Sequence, residues 1–102
     1  MTKASLSTHV LDTTTGRPAA GLRIELERDG APVASGVTDA DGRVRELARD
    51  LEAGTYRIRF DTGAYARDGF FRQVALDVDL AEGHTHVPLL LSRYGVTSYR
   101  GS

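Results

Sequence analysis

Histidine is the side chain best suited to move protons near neutral pH, and this chain of 102 residues has three: His9, His84 and His86. His84 and His86 are two apart, so on a strand they point to one face about 7 Å apart, a spacing that invites a metal ion. A zinc site needs at least one further ligand. His9 could supply it, yet no thiolate, HExxH pattern or carboxylate at ligand spacing accompanies the pair, so neither a metal nor any other cofactor is expected. Proton transfer remains. In the first stretch Leu6, Thr8 and Val10 share one face, and Ser7, His9 and Leu11 share the other, where His9 interrupts a mixed surface. Taken alone, a histidine so placed is more often structural than catalytic.

Other chemistry is thinly represented. With no cysteine there is no disulfide framework and no thiol nucleophile. Asp39-Ala40-Asp41-Gly42 resembles the start of a calcium loop, but Arg43 stands at the next alternate position and Asp50 where a bidentate glutamate is needed. A tight turn between strands explains these residues better. No phosphate-cradling glycine loop and no GxSxG elbow occurs.

The elements that must position the histidines read as β-strands. Leu22, Ile24 and Leu26 alternate with Arg23, Glu25 and Glu27 and end at Asp29-Gly30, a hairpin turn signal. Tyr56, Ile58 and Phe60 alternate with Arg57 and Arg59, and Val74, Leu76 and Val78 with Ala75, Asp77 and Asp79. Weaker strands fall at 5–11, 33–37, 43–45, 84–91 and 95–99, giving about eight in all, the content of a two-sheet sandwich. A short helix is expected over 62–68, with Thr62 as its N-cap. The length fits one domain spanning residues 1–102.

Lys plus Arg number 13 against 14 Asp plus Glu, interspersed along the chain, so no nucleic-acid or membrane-surface partner is expected. The first ten residues lack the apolar run of a secretory signal, and no segment approaches the ~20 apolar residues that cross a bilayer. A cytoplasmic location is the expectation. A domain this small buries only ~60–65% of its unfolded surface, so association with other copies is a natural source of stability.

Three separated motifs are more specific. His9 to Gly21, HVLDTTTGRPAAG, resembles the opening signature of the 5-hydroxyisourate hydrolases, the transthyretin-related proteins; His84 to Ser92, HTHVPLLLS, and Tyr99-Arg100-Gly101-Ser102 resemble two further signatures of that family. TDADGR at 38–43 and LEAGTYRIRF at 51–60 extend the resemblance over essentially the whole chain. Three positions depart from the family pattern: Arg93 replaces a proline, Val96 a tyrosine and Thr85 an aromatic residue.

The resemblance implies an all-β, transthyretin-like (prealbumin-like) sandwich of two four-stranded sheets. It also implies a homotetramer, a dimer of dimers, with active sites in a channel at the dimer–dimer interface. The substrate implied is 5-hydroxyisourate, hydrolysed to 2-oxo-4-hydroxy-4-carboxy-5-ureidoimidazoline. The family's catalytic positions fall on His9, Arg43, His86 and Ser102, and its substrate contacts on His9, Arg43, Tyr99, Arg100 and Gly101. The two histidines would exchange general-base and general-acid roles, and Arg43 would hold the acidic substrate, its planar guanidinium remaining cationic. Tyr99 and Arg100 would hold the ring, Gly101 would give the backbone a turn that side chains hinder, and a carboxylate on Ser102 would orient an imidazole. His84 would support the site or lie on the surface.

Non-catalytic prealbumin-like modules share Gly16 to Pro18, Thr38 to Gly42 and Ala53 to Tyr56, so these pieces speak for fold alone. His9, His86 and Tyr99 to Ser102 separate the enzyme reading from such a module. In transthyretin the corresponding histidine, arginine and tyrosine positions hold other residue types. A small-hormone carrier is disfavoured because two imidazoles and a guanidinium would line the channel where an apolar ligand must sit.

Overall fold

The computed structural model describes residues 3–101. The strands in chain order are β1 (Lys3–Asp12), β2 (Arg17–Pro18), β3 (Arg23–Arg28), β4 (Ala31–Val37), β5 (Arg43–Glu52) and β6 (Gly54–Phe60); after the helix α1 (Thr62–Tyr65) come β7 (Val74–Leu80), β8 (Gly83–Leu91) and β9 (Val96–Ser98). They form two sheets. One runs β4-β3-β6-β7; in the other β1 lies against β8, which pairs with β9, while β5 and the two-residue β2 share the far edge of β1. The two-residue β2 makes this sheet five-stranded where the resemblance implied four.

Alternation places the core between the sheets. Leu6 and Val10 of β1, Ile24 and Leu26 of β3, Ile58 and Phe60 of β6, and Leu89 of β8 have no exposed surface. Burying each such side chain contributes about 1.5–3 kcal/mol. The polar residues between them face outward, as in Arg57 paired bidentately with Asp77 at 2.7 and 3.1 Å across β6 and β7. The Asp29-Gly30 signal is realised as a two-residue hairpin between β3 and β4, both residues at positive φ.

Two further elements differ from the sequence reading. β5 extends to Glu52, well past Arg45, although its apolar residues Val44, Leu47, Ala48 and Leu51 are spaced three, one and three apart, as on a helix. Opposite β1 they meet Thr8, Ala48's partner Leu6, and Ala4 through two register shifts, and these bulges turn an irregular spacing into one inward face. The helix is a single turn. Its N-cap is Asp61, whose carboxylate accepts from the Ala64 N–H at 3.2 Å, while the Thr62 hydroxyl donates to the Phe71 carbonyl at 2.7 Å and ties the following loop down. Tyr65 then donates to the Asp12 carboxylate at 2.9 Å, and burial together with that bond pushes its phenol up to about 12.

Among the described residues no helix is long and apolar enough to cross a membrane.

Candidate active site

The register of the first sheet builds the site. β1 and β8 run parallel, with Ser5 opposite His84, Ser7 opposite His86 and His9 opposite Pro88. On the other side of β1, His9 is paired with Arg43, the first residue of β5. Since Leu6, Val10, Val87 and Leu89 point into the core, the alternate residues Ser5, Ser7, His9, His84 and His86 share the outer face. One face of one sheet thus gathers residues drawn from positions 9, 43 and 86.

Arg43 is held by the turn that precedes it. The Asp39 carboxylate accepts from the backbone N–H groups of Asp41 at 2.9 Å and Arg43 at 3.0 Å. The bond from the Arg43 amide is the largest influence holding the Asp39 carboxyl below its ordinary value, against a smaller opposing effect of burial. Gly42 sits at φ +74°, and a Cβ there would lie 2.5 Å from the Val10 carbonyl oxygen. Its own carbonyl accepts from the Val10 N–H at 2.7 Å, which fastens the turn to β1 next to His9. The acidic run is therefore the clamp of a turn.

His86 is the most constrained group of the site. Its Nδ1 lies 2.7 Å from the Ser7 hydroxyl, which is also 2.8 Å from His84 Nε2, and His84 Nδ1 is 2.7 Å from the Ser5 hydroxyl. Burial, then the Arg43 guanidinium, then His9 and His84 hold the His86 imidazole below the usual histidine value and so favour its neutral form. Ser7, Thr8, Arg43, Arg45 and His86 line a cleft of about 150 Å³.

The chain end reaches His86 directly. Gly101 bridges to it, donating its N–H to the His86 carbonyl at 2.7 Å. A Cβ at position 101 would fall 2.9 Å from the imidazole Cδ2. Its backbone is not among those at positive φ, so glycine is needed for this close approach and not for the turn that the sequence reading gave as the reason. Tyr99 and Arg100 line a second groove of about 330 Å³, shared with Leu76, Asp77, Thr85 and Val87, so a single chain does not bring them into the histidine cleft. Two carboxylates, Asp77 and Asp79, border that groove and make it the poorer host for an acidic molecule. Ser102 lies outside the described residues.

Residues 6–101 match the model of the HIUase/Transthyretin family. The chain belongs to the HIUase/transthyretin family. It is 40% identical to the 5-hydroxyisourate hydrolase of Caulobacter vibrioides over 97% of this chain and 99% of that protein. The structure of the Klebsiella pneumoniae 5-hydroxyisourate hydrolase superposes with a TM-score of 0.91 at 39% identity, covering 97% of this chain and 99% of that one. Sea bream transthyretin in complex with thyroxine superposes at 0.87 with 31% identity, over 94% and 93%.

Within this family frame the three departures have visible accommodations. Arg93 uses the backbone N–H that a proline would lack, donating it to the Thr14 hydroxyl at 3.0 Å, and its carbonyl accepts from Phe70 at 2.8 Å. Its guanidinium lies over the Tyr94 ring and 3.7 Å from Asp68. Val96 packs against the core, and Thr85 lines the Tyr99 groove away from the histidines. Ser5, Ser7 and Arg45 were not singled out by the sequence reading. The two serines share the parity of His9, but that His84 and His86 lie beside them follows only from the pairing of β1 with β8.

The described residues hold no group of three or more His, Cys, Asp or Glu side chains arranged to hold a metal ion. Ring opening is therefore expected to continue undiminished after exhaustive chelation. Loss of turnover that zinc restores would contradict this.

Proposed function

We propose that the cleft lined by Arg43 and His86, with His9 paired to Arg43 on the same sheet face, is where the chain opens the ring of 5-hydroxyisourate, the hydrolysis it carries out in urate degradation. Breaking a cyclic amide requires an activated water, a place for negative charge on the carbonyl oxygen and a proton for the leaving nitrogen. The observation that carries the reading is His86: its Nδ1 is engaged by Ser7, and burial and then the nearby Arg43 favour the neutral ring. With its own proton on Nδ1, donated to Ser7, the ring presents Nε2 to take a proton from water. The water oxygen bonds to the carbonyl carbon, the guanidinium of Arg43 steadies the oxyanion, and the C–N bond breaks as the leaving nitrogen receives a proton from His9. The product is 2-oxo-4-hydroxy-4-carboxy-5-ureidoimidazoline.

The proposed assembly is a homotetramer built as a dimer of dimers. The cleft lies on the outer face of one sheet, with protein on one side of a flat substrate, so a second copy facing it would supply the missing wall and exclude water. Tyr99, 56% exposed, and Arg100 are kept as substrate contacts that depend on this assembly, and Ser102 as the residue that completes the chain-end motif. Sedimentation of the active protein measures the assembly, and full activity in a monomer would remove it. The cytoplasm is the proposed compartment, in keeping with a chain free of cysteine.

The reaction is read by generating 5-hydroxyisourate from urate in situ and following its ultraviolet absorbance. Because the base must be neutral and the His86 value is lowered, the acidic limb of the kcat/KM profile is expected below about 6.5, the ordinary histidine value. Activity is lost as pH falls through the lowered value. A limb that stays above 6.5 would contradict a base held low by burial and Arg43.

A further inference from the structure

Ser7 has one hydroxyl proton and two imidazole nitrogens within hydrogen-bond distance, His84 Nε2 at 2.8 Å and His86 Nδ1 at 2.7 Å. It can donate to one of them only, and the other must then bring its own N–H. The tautomers of the two rings are thereby coupled. If Ser7 donates to His84, His86 must carry its proton on Nδ1 and leaves Nε2 bare; if Ser7 donates to His86, the proton of a neutral His86 sits on Nε2 and the lone pair is lost to the cleft. Ser5, 2.7 Å from His84 Nδ1, accepts the remaining N–H of His84 in the first arrangement.

We propose that His84 is a positioning residue for the hydrolysis, holding the Ser7 proton so that His86 keeps its own on Nδ1 and presents a bare Nε2. The proposal rests on the reading of His86 as the base. The groups facing His86 favour this arrangement: Arg43 and Arg45 of β5 share its cleft, and His9 lies on the neighbouring β1. Cations next to the cleft favour a lone pair there over an N–H. Ser7 is 6% exposed, which leaves little water to compete for its proton and confines the choice of acceptor to the two imidazoles. A histidine without such an acceptor nearby would take that proton itself, on the wrong nitrogen.

His84 is exposed on its strand, so its replacement does not threaten the core. In His84→Ala the Ser7 proton is released to His86, and the rate falls with the fraction of rings left in the productive tautomer, about tenfold, seen in kcat and not in KM. His84→Gln restores most of the loss, since an amide oxygen accepts the Ser7 proton. Ser7→Ala combined with His84→Ala costs no more than the more damaging of the two changes alone, because both act through one bond.

The decisive measurement is the nitrogen-15 NMR spectrum of the His86 ring in the unliganded protein. The expected result is a proton mainly on Nδ1 in the parent and in His84→Gln, and mainly on Nε2 in His84→Ala. The same tautomer in all three proteins overturns the relay and leaves the catalytic reading of the cleft intact. A tautomer that switches without any change in turnover overturns the part of His84 in the reaction, and the reading of His86 as base with it.

Discussion

His9→Ala, His86→Ala and Arg43→Ala are each expected to lower turnover by ~10²-fold or more, with melting temperature and oligomer size nearly unchanged. The size of the effect follows from the role proposed for each group. Removing a positioned proton carrier, or the charge that meets the oxyanion, leaves the transition state to water, which reorganises poorly in a cleft of this size. The small cost to folding follows from position: all three side chains are on the outer face of their sheet, and the core on the other side is filled by Leu6, Val10, Val87 and Leu89. The same change at His84 is expected to cost far less. Equal losses at His84 and His86 would mean that the two histidines act as a pair, as a metal site would require.

The second large effect is expected at the chain end, ordinarily a part of a small domain that tolerates truncation. Deleting Tyr99 to Ser102, or fusing a folded tag directly after Ser102, is expected to nearly abolish ring opening while the sandwich still folds. Gly101 is the physical reason. Its amide fixes the His86 backbone at 2.7 Å, and even a methyl group there would press on the imidazole at 2.9 Å. Bulk attached just beyond Gly101 is expected to crowd the same ring, whereas a tag before Lys3 is attached at the far end of β1 from the turn that holds Arg43. Ring-opening rate, circular dichroism and oligomer size measured on both proteins test this. Full activity in the truncated chain would free the site of Tyr99 to Ser102.

Much of this arrangement could be read from the sequence, because strict alternation leaves little freedom. Once Leu6, Thr8 and Val10 face inward, His9 must face outward, and the same parity carries His84 and His86 to one surface. Alternation cannot announce which strands pair, so the joining of His9, Arg43 and His86 in one site was implied only by motif resemblance and became geometry in the fold, where His9 meets Arg43. β5 was shortened in the sequence reading because its apolar residues follow a helical spacing that only two bulges against β1 reconcile with a sheet. The one-turn helix was displaced by one residue at its start because Asp61 and Thr62 are both competent caps, and the Thr62 hydroxyl is engaged by Phe71. The Ser7 link between two imidazoles was invisible for another reason: a serine on a polar face is ordinary until the register places a histidine on either side of it.

The most direct test of the central claim is the decay of 5-hydroxyisourate absorbance, generated in situ, with the uncatalysed rate subtracted, in the presence of the protein and of its His86→Ala variant. The account predicts rapid catalysed decay with the parent chain and a rate reduced by ~10²-fold or more with the variant. Decay at the uncatalysed rate with the parent, or an undiminished rate with the variant, would contradict it.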